Sequence, residues 1–159
     1  MNIKAIYPGT FDPITFGHQD LVKRASNIFE SVIVAVAYKT QKNTLFSFED
    51  RFDMCREVLK KYKNVKVIKL DKLTVDHANE LGTKVMLRGL RAVSDFESEL
   101  QMAQTNLAIS GVHTLFLPTA SRRSFLASGL IREVARLGGN VEDMVPEPVY
   151  RRLKEKLPS

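Results

Sequence analysis

The chain has 159 residues, 44% of them hydrophobic and 26% charged, with a formal charge of +6 and a pI near 9.5. That length suits a single domain, residues 1–159, with a real core and an ordinary globular composition. No apolar run approaches bilayer length, no leader-like segment opens the chain, and the lone Cys55 excludes an intrachain disulfide or a cysteine zinc cage. The positive balance favours anionic partners such as nucleotides, phosphorylated metabolites, nucleic acid or an acidic membrane surface, without choosing among them. Arg151 to Lys156 reads as a solvated helix face, since it includes Glu155 and lacks interleaved aromatics.

Residues 3–7 read as a first strand, stopped by Pro8-Gly9, and residues 17–29 as a helix with Leu21, Ala25 and Phe29 on one stripe. The β-branched run at 31–37 suits a strand buried on both faces. Ser47 can cap the next helix, Glu49 and Asp50 favour its positive end, and Phe48, Phe52, Cys55 and Leu59 form its apolar stripe. Cys55 therefore reads as a small core residue rather than a nucleophile. Residues 65–70 form a strand nearer the edge, 75–81 a short helix ending at Gly82, and 84–87 a fourth strand. Ser94 to Glu97 has the capping-box pattern, opening a long helix with Phe96, Leu100, Ala103 and Leu107 in line. A fifth strand at 114–117 stops at Pro118, and helices at 125–137 and 148–157 follow.

Strand and helix thus alternate five times, which predicts an α/β fold. Specifically, it is a doubly wound, Rossmann-like, five-stranded parallel sheet with C-terminal helices. In the order 3-2-1-4-5, strands one and four are neighbours, and ligands bind where the order reverses, beyond the strand carboxyl ends. Five segments deliver polar residues, basic or hydroxyl groups in each but also Asp12 and Asp71, to that end: Thr10, Asp12, Thr15 and His18; Lys39 and Lys42; Asp71, Lys72 and Thr74; Arg88, Gly89 and Arg91; and Thr119 to Ser128.

In the first of these segments, Gly9 admits a phosphate to the backbone, and Gly17 opens a helix whose N–H groups suit an anion. His18 in that first turn is either an ordinary helix residue or a ring donor to phosphate; chemistry alone leaves both open. Arg88 and Arg91 suit bidentate phosphate binding, and they equally suit pairing with Asp95 or Glu99. The loop is neither a Gly-x-Gly-x-x-Gly dinucleotide fingerprint nor a Walker A loop. His77 and His113 read as structural or surface residues.

Tyr7-Pro8-Gly9-Thr10-Phe11-Asp12-Pro13-Ile14-Thr15, then Gly17-His18, resembles the opening signature of the bacterial phosphopantetheine adenylyltransferases, within the (H/T)-x-G-H nucleotidyltransferase superfamily. Leu87 to Arg91 and Asp95-Phe96-Glu97-x-Glu99 resemble a second block of that family. The resemblance implies adenylyl transfer from ATP to 4′-phosphopantetheine, giving dephospho-coenzyme A and pyrophosphate. It also implies a cytoplasmic homohexamer using Mg²⁺ that arrives with ATP, with no dedicated metal site, no membrane and no specific nucleic acid.

By the same resemblance, His18 and Lys42 are catalytic, while Thr10, Lys42, Thr74 and Arg88 bind the acceptor. Thr10, Phe11, His18, Gly89, Leu90, Arg91, Glu99, Arg123, Ser124, Phe125, Leu126, Ala127, Ser128 and Gly129 form the ATP site. Ala127 and Gly129 stand where the family usually has hydroxyls, Arg123 where it has an aromatic, and His77 where it has an apolar aromatic. Two rival readings are transfer to another phosphorylated acceptor and a non-catalytic nucleotide- or nucleic-acid-binding module.

Overall fold

A computed structural model of the chain describes residues 3–40, 43–120 and 125–157. Strands β1 (Lys4–Gly9), β2 (Ser31–Ala37), β3 (Val65–Leu70), β4 (Val85–Leu90) and β5 (His113–Pro118) alternate with helices α1 (Phe16–Ser26), α2 (Phe48–Leu59), α3 (Thr74–Glu80) and α4 (Val93–Ser110). Helix α5 (Ser128–Arg136), a 3-10 turn and α6 (Glu147–Lys156) follow. All strand pairs are parallel, as the alternation predicts, and the order is β3-β2-β1-β4-β5, the one expected for the doubly wound fold. Strand β1 is flanked by β2 and β4, so successive crossovers leave in opposite directions there and a crevice opens beyond its carboxyl end.

The apolar runs divide between the two faces by the period of two that a strand imposes. Ala5, Tyr7, Val32, Val34, Val36 and Leu87 join one core with Leu21, Met54, Cys55, Leu59 and Ile131 of the covering helices. Ile6, Ile33, Ala35 and Met86 face the other way, against Val75, Ala78 and Val112. The Val, Leu, Ile and Met side chains among them each contribute roughly 1.5–3 kcal/mol when fully buried. Helix α2 forms as its sequence suggests: the Ser47 hydroxyl accepts the Asp50 N–H at 3.1 Å, and Cys55 is buried in the core.

Several boundaries differ from expectation, and each has a local cause. Strand β1 does not stop at Pro8-Gly9, because Pro8 and Gly9 stay in register with Ala35 and Val36. Strand β4 runs on to Leu90, which places Arg88 and Gly89 inside the ladder opposite Phe116 and Leu117. A Cβ on Gly89 would lie 3.0 Å from Leu21 Cδ1, so the glycine lets β4 sit close under α1. On Gly9 a Cβ would lie 2.9 Å from the Phe11 ring, so the glycine makes room for that ring.

Helix α4 begins at Val93 with Ala92 at its N-cap and no side-chain cap there, so position 94 falls inside the helix rather than at the N-cap expected for it. Helix α5 starts at Ser128, three residues later than expected, and α1 ends at Ser26 although Phe29 remains buried. The stripe expected on α4 does not enter the core. Phe96, Leu100 and Leu107 are all substantially exposed, as are Met102 and Ile109 on the same helix.

Candidate active site

A cleft of about 540 Å³ lies at the carboxyl ends of β1 and β4. Thr10, Phe11 and His18 form one wall, Arg88, Gly89, Arg91 and Glu99 another, and Leu126, Ala127, Ser128 and Gly129 a third. Its size falls in the range of small-molecule and cofactor sites.

The first wall is set by an unusual helix start. Thr15, fully buried, is the N-cap of α1, and its hydroxyl accepts the N–H groups of Gly17 at 3.1 Å and His18 at 3.3 Å. His18 at N3 returns the favour by accepting the Thr15 N–H on Nδ1 at 3.0 Å. This is a capping box in which imidazole replaces the usual Glu or Gln. The helix therefore starts at Phe16, not Gly17, and two N–H groups expected to hold an anion are already satisfied. With Nδ1 an acceptor, the neutral ring carries its proton on Nε2. Burial, and then the charges of Arg91 and Arg88, lower the His18 pKa to about 4. The ring is thus a neutral donor at physiological pH.

On the second wall, alternation along β4 turns Arg88 away from the Leu87 side and toward α4. Its guanidinium forms a bidentate pair with Glu99, Nε donating at 2.8 Å and Nη2 donating to the other oxygen. Arg91 pairs with Asp95 one turn into α4 at 3.3 Å. The pairings left open by the sequence are therefore both made, and both lie in the cleft.

The third wall is the start of α5, where no side chain caps the first turn. The Ser128 hydroxyl donates to the Pro13 carbonyl at 2.8 Å, so its proton is committed to the first loop. Anion-binding potential at a helix start therefore moves from α1, which is capped, to α5, whose first N–H groups point to the cleft end of the helix. A Cβ on Gly129 would meet nothing nearer than Arg132 Nη2 at 3.9 Å, so a side chain is tolerated there.

Residues 6–134 match the sequence profile of the cytidylyltransferase-like family. The phosphopantetheine adenylyltransferase of Desulforudis audaxviator is 52% identical over 96% of this chain and 94% of its own length. The chain belongs to the phosphopantetheine adenylyltransferase family. The enzyme of that name from Synechococcus sp. strain RCC307 is 51% identical over 92% of this chain and 89% of its own. A structure designated a nicotinate-nucleotide adenylyltransferase, from Vibrio parahaemolyticus, superposes with a TM-score of 0.73 over 99% of this chain and 95% of that one. At 17% identity it shows the shared fold.

Among the residues expected to serve a phosphopantetheine adenylyltransferase, Thr10, Phe11, His18, Arg88, Gly89, Arg91, Glu99 and Leu126 to Gly129 line this one cleft. Thr74, Leu90 and Phe125 do not. Thr74 opens α3 after the edge strand β3, two strands from the crevice, and Phe125 is 54% exposed. Lys42, Arg123 and Ser124 lie outside the described residues. The carboxylates Asp12, Asp95 and Glu99 are all engaged by arginines, and among the described residues no cluster of three potential ligands could hold a metal.

Two buried charges lie behind the first wall: Asp12, which the sequence placed at the strand end without a role, and Arg51, which went unread. Asp12, only 2% exposed, accepts the Leu45 N–H at 2.8 Å and the Phe46 N–H at 2.9 Å, and lies 3.3 Å from Arg132 of α5. It joins three cleft segments at one carboxylate. Arg51 is equally buried, in α2. Its signal was available: position 51 lies three residues after Phe48 and four before Cys55, on the stripe that enters the core.

Two expected results test the helix start. Thr15→Val keeps the shape but removes the cap, and stability in urea falls by about 1 kcal/mol. An unchanged midpoint would discredit the capping geometry. In a proton NMR titration of the free protein, the His18 ring titrates near 4 rather than at its ordinary 6.5. Because the folded value lies below the unfolded one, stability contributed by the neutral ring is complete above about pH 6.5 and is lost as pH falls toward 4.

Proposed function

We propose that the chain transfers the adenylyl group of ATP to 4′-phosphopantetheine, forming dephospho-coenzyme A and releasing pyrophosphate, a step of coenzyme A biosynthesis. Family membership supports the reaction. The observation that carries the mechanism is the Thr15 N–H held by His18 Nδ1, which leaves Nε2–H as a neutral donor in a cleft walled by Arg88 and Arg91.

No protein nucleophile is required. A phosphate oxygen of the acceptor attacks the α-phosphorus of ATP, a new P–O bond forms, and the bond to the departing pyrophosphate breaks. Such transfers depend on in-line positioning and on stabilising charge at the equatorial and leaving oxygens. His18 Nε2–H donates to an α-phosphate oxygen, and Lys42 orients the attacking phosphate and steadies the same centre. Thr10, Thr74 and Arg88 hold the acceptor. Phe11, Gly89 to Arg91, Glu99 and the 123–129 segment hold ATP.

Arg88 already forms a bidentate pair with Glu99, so an incoming phosphate competes for that guanidinium. Mg²⁺ enters as part of the Mg·ATP substrate, in keeping with the engaged carboxylates of the cleft. Cytoplasmic location is part of the same reading as the reaction; among the described residues no helix is long and apolar enough to cross a membrane. Homohexamer formation belongs to the same reading; the exposed Phe96, Leu100 and Leu107 of α4 support self-association, and sedimentation equilibrium measures it.

Pyrophosphate release is the deciding assay, run with ATP and either 4′-phosphopantetheine, nicotinamide mononucleotide or glycerol phosphate. Release with the first acceptor alone is expected. Release with another, or with none, defeats the assignment.

A further inference from the structure

We infer that Arg51 is a positioning residue that fixes the Thr10–Phe11 peptide so that the Phe11 N–H faces the phosphates bound in the cleft. Its side chain reaches from α2 under the first loop, where one nitrogen, Nη1, donates to the Thr10 carbonyl at 2.6 Å and to the Ala37 carbonyl at 2.9 Å. The loop after β1 is thereby tied to the end of β2. Arg51 itself is 2% exposed and does not line the cleft, whereas Thr10 and Phe11 do.

Planarity supplies the next step. Asp12–Pro13 is the one cis bond among the described residues, so Thr10–Phe11 is trans, and its C=O and N–H point in opposite directions. With the carbonyl drawn inward to the guanidinium, the N–H is turned outward on the cleft side. Among the described residues that N–H has no acceptor, which leaves it for a ligand oxygen. Phe11 adopts φ +50°, an uncommon conformation for a side-chain-bearing residue, so this peptide plane needs holding. The Phe11 ring, packed edge-on to Tyr7 at 5.4 Å and over Gly9, holds the other end.

The energetics agree that Arg51 is kept for geometry. A buried guanidinium is costly unless its donors are satisfied, yet among the described residues Arg51 Nε has no partner, and the hydrogen bonds of Nη1 go to neutral carbonyls rather than to a carboxylate. Burial lowers its pKa, with the nearby Asp12 opposing. An apolar residue of similar volume would avoid that cost but would release the peptide.

The inference rests on the adenylyl-transfer reading for its consequence, and its test separates the two. Protein labelled with ¹⁵N-phenylalanine carries nine reporters, of which Phe11 is one. In the wild type, ATP shifts the Phe11 amide proton downfield. In Arg51→Met the phenylalanine amides other than Phe11 and the neighbouring Phe48 and Phe52 keep their positions, the ATP-induced shift at Phe11 is lost, and kcat/KM falls at least tenfold. Arg51→Lys retains the charge with poorer geometry, and recovers part of both; it carries the same test if Arg51→Met does not fold. A retained Phe11 shift overturns the inference. So does an activity loss accompanied by displacement of all the phenylalanine amides, since that marks a purely structural role. ATP binding is read without turnover, so a wild type that releases no pyrophosphate defeats the adenylyl-transfer reading, while the Phe11 shift still decides this one.

Discussion

His18→Ala lowers kcat by about a hundredfold to a thousandfold, equivalent to roughly 3–4 kcal/mol, the usual cost of deleting one donor aimed at charge that develops in the transition state. The KM for ATP changes little if the bond strengthens mainly at the transition state. The alanine variant also deprives the Thr15 N–H of its acceptor, so stability falls as well, and activity alone would confuse the two losses. His18→Gln separates them. Glutamine at N3 is a natural capping-box partner and restores the acceptor for Thr15, but it cannot place a donor where Nε2 stands. Its expected behaviour is near-wild-type stability with activity as low as that of His18→Ala. Turnover within about threefold of wild type in either variant would remove His18 from the mechanism. The pH dependence is a companion measurement: His18 contributes no limb to kcat/KM at 6.5, because its ring is neutral down to about pH 4 in the free enzyme, and any limb at about pH 6 belongs to the substrate phosphates.

Helix–strand alternation was legible because it rests on a period or a breaker repeated along the chain, whereas the strand order was an expectation of the default fold and is fixed by long-range pairing. The run 31–37 could only be a strand covered on both faces, and it is the second strand of the sheet. Errors arose where tertiary contacts overrode a local rule. Pro8-Gly9 reads as a strand end, but pairing with Ala35 and Val36 carries β1 through it. Ser94 to Glu97 reads as a capping box, but α4 has already begun at Val93.

The cleft was legible as a set of loop ends and less so as chemistry. His18 could be placed near a phosphate by the helix-start argument. Its tautomer could not, because that depends on a 3.0 Å bond to Thr15. The Ser128 hydroxyl looked like a phosphate ligand until its bond to the Pro13 carbonyl, 115 residues away in sequence, came into view. Contacts of that separation leave no mark in a local pattern. The same holds for Asp12, whose three partners, Leu45, Phe46 and Arg132, come from the β2–α2 loop and α5.

Asp12 accordingly predicts the largest loss of stability. Asp12→Asn preserves shape but replaces one acceptor oxygen by a donor, which then faces either the Leu45 or the Phe46 N–H, and it leaves Arg132 without its carboxylate. Breaking a buried pair in this way costs about 3–5 kcal/mol, because the remaining charge is left uncompensated. For a chain of this size the unfolding temperature falls by on the order of 10 °C. The activity effect differs from that of His18. Asp12 holds the segment containing Thr44 and the start of α5 against the first loop, so KM for both substrates rises while the α-phosphate donor survives. Arg132→Met relieves the orphaned charge, and the double variant regains part of the stability lost in Asp12→Asn; additive losses would mean that the 3.3 Å pair is not coupled. A single variant within about 1 kcal/mol of wild type would show that the two backbone N–H groups find water instead, and that the three walls do not share this anchor.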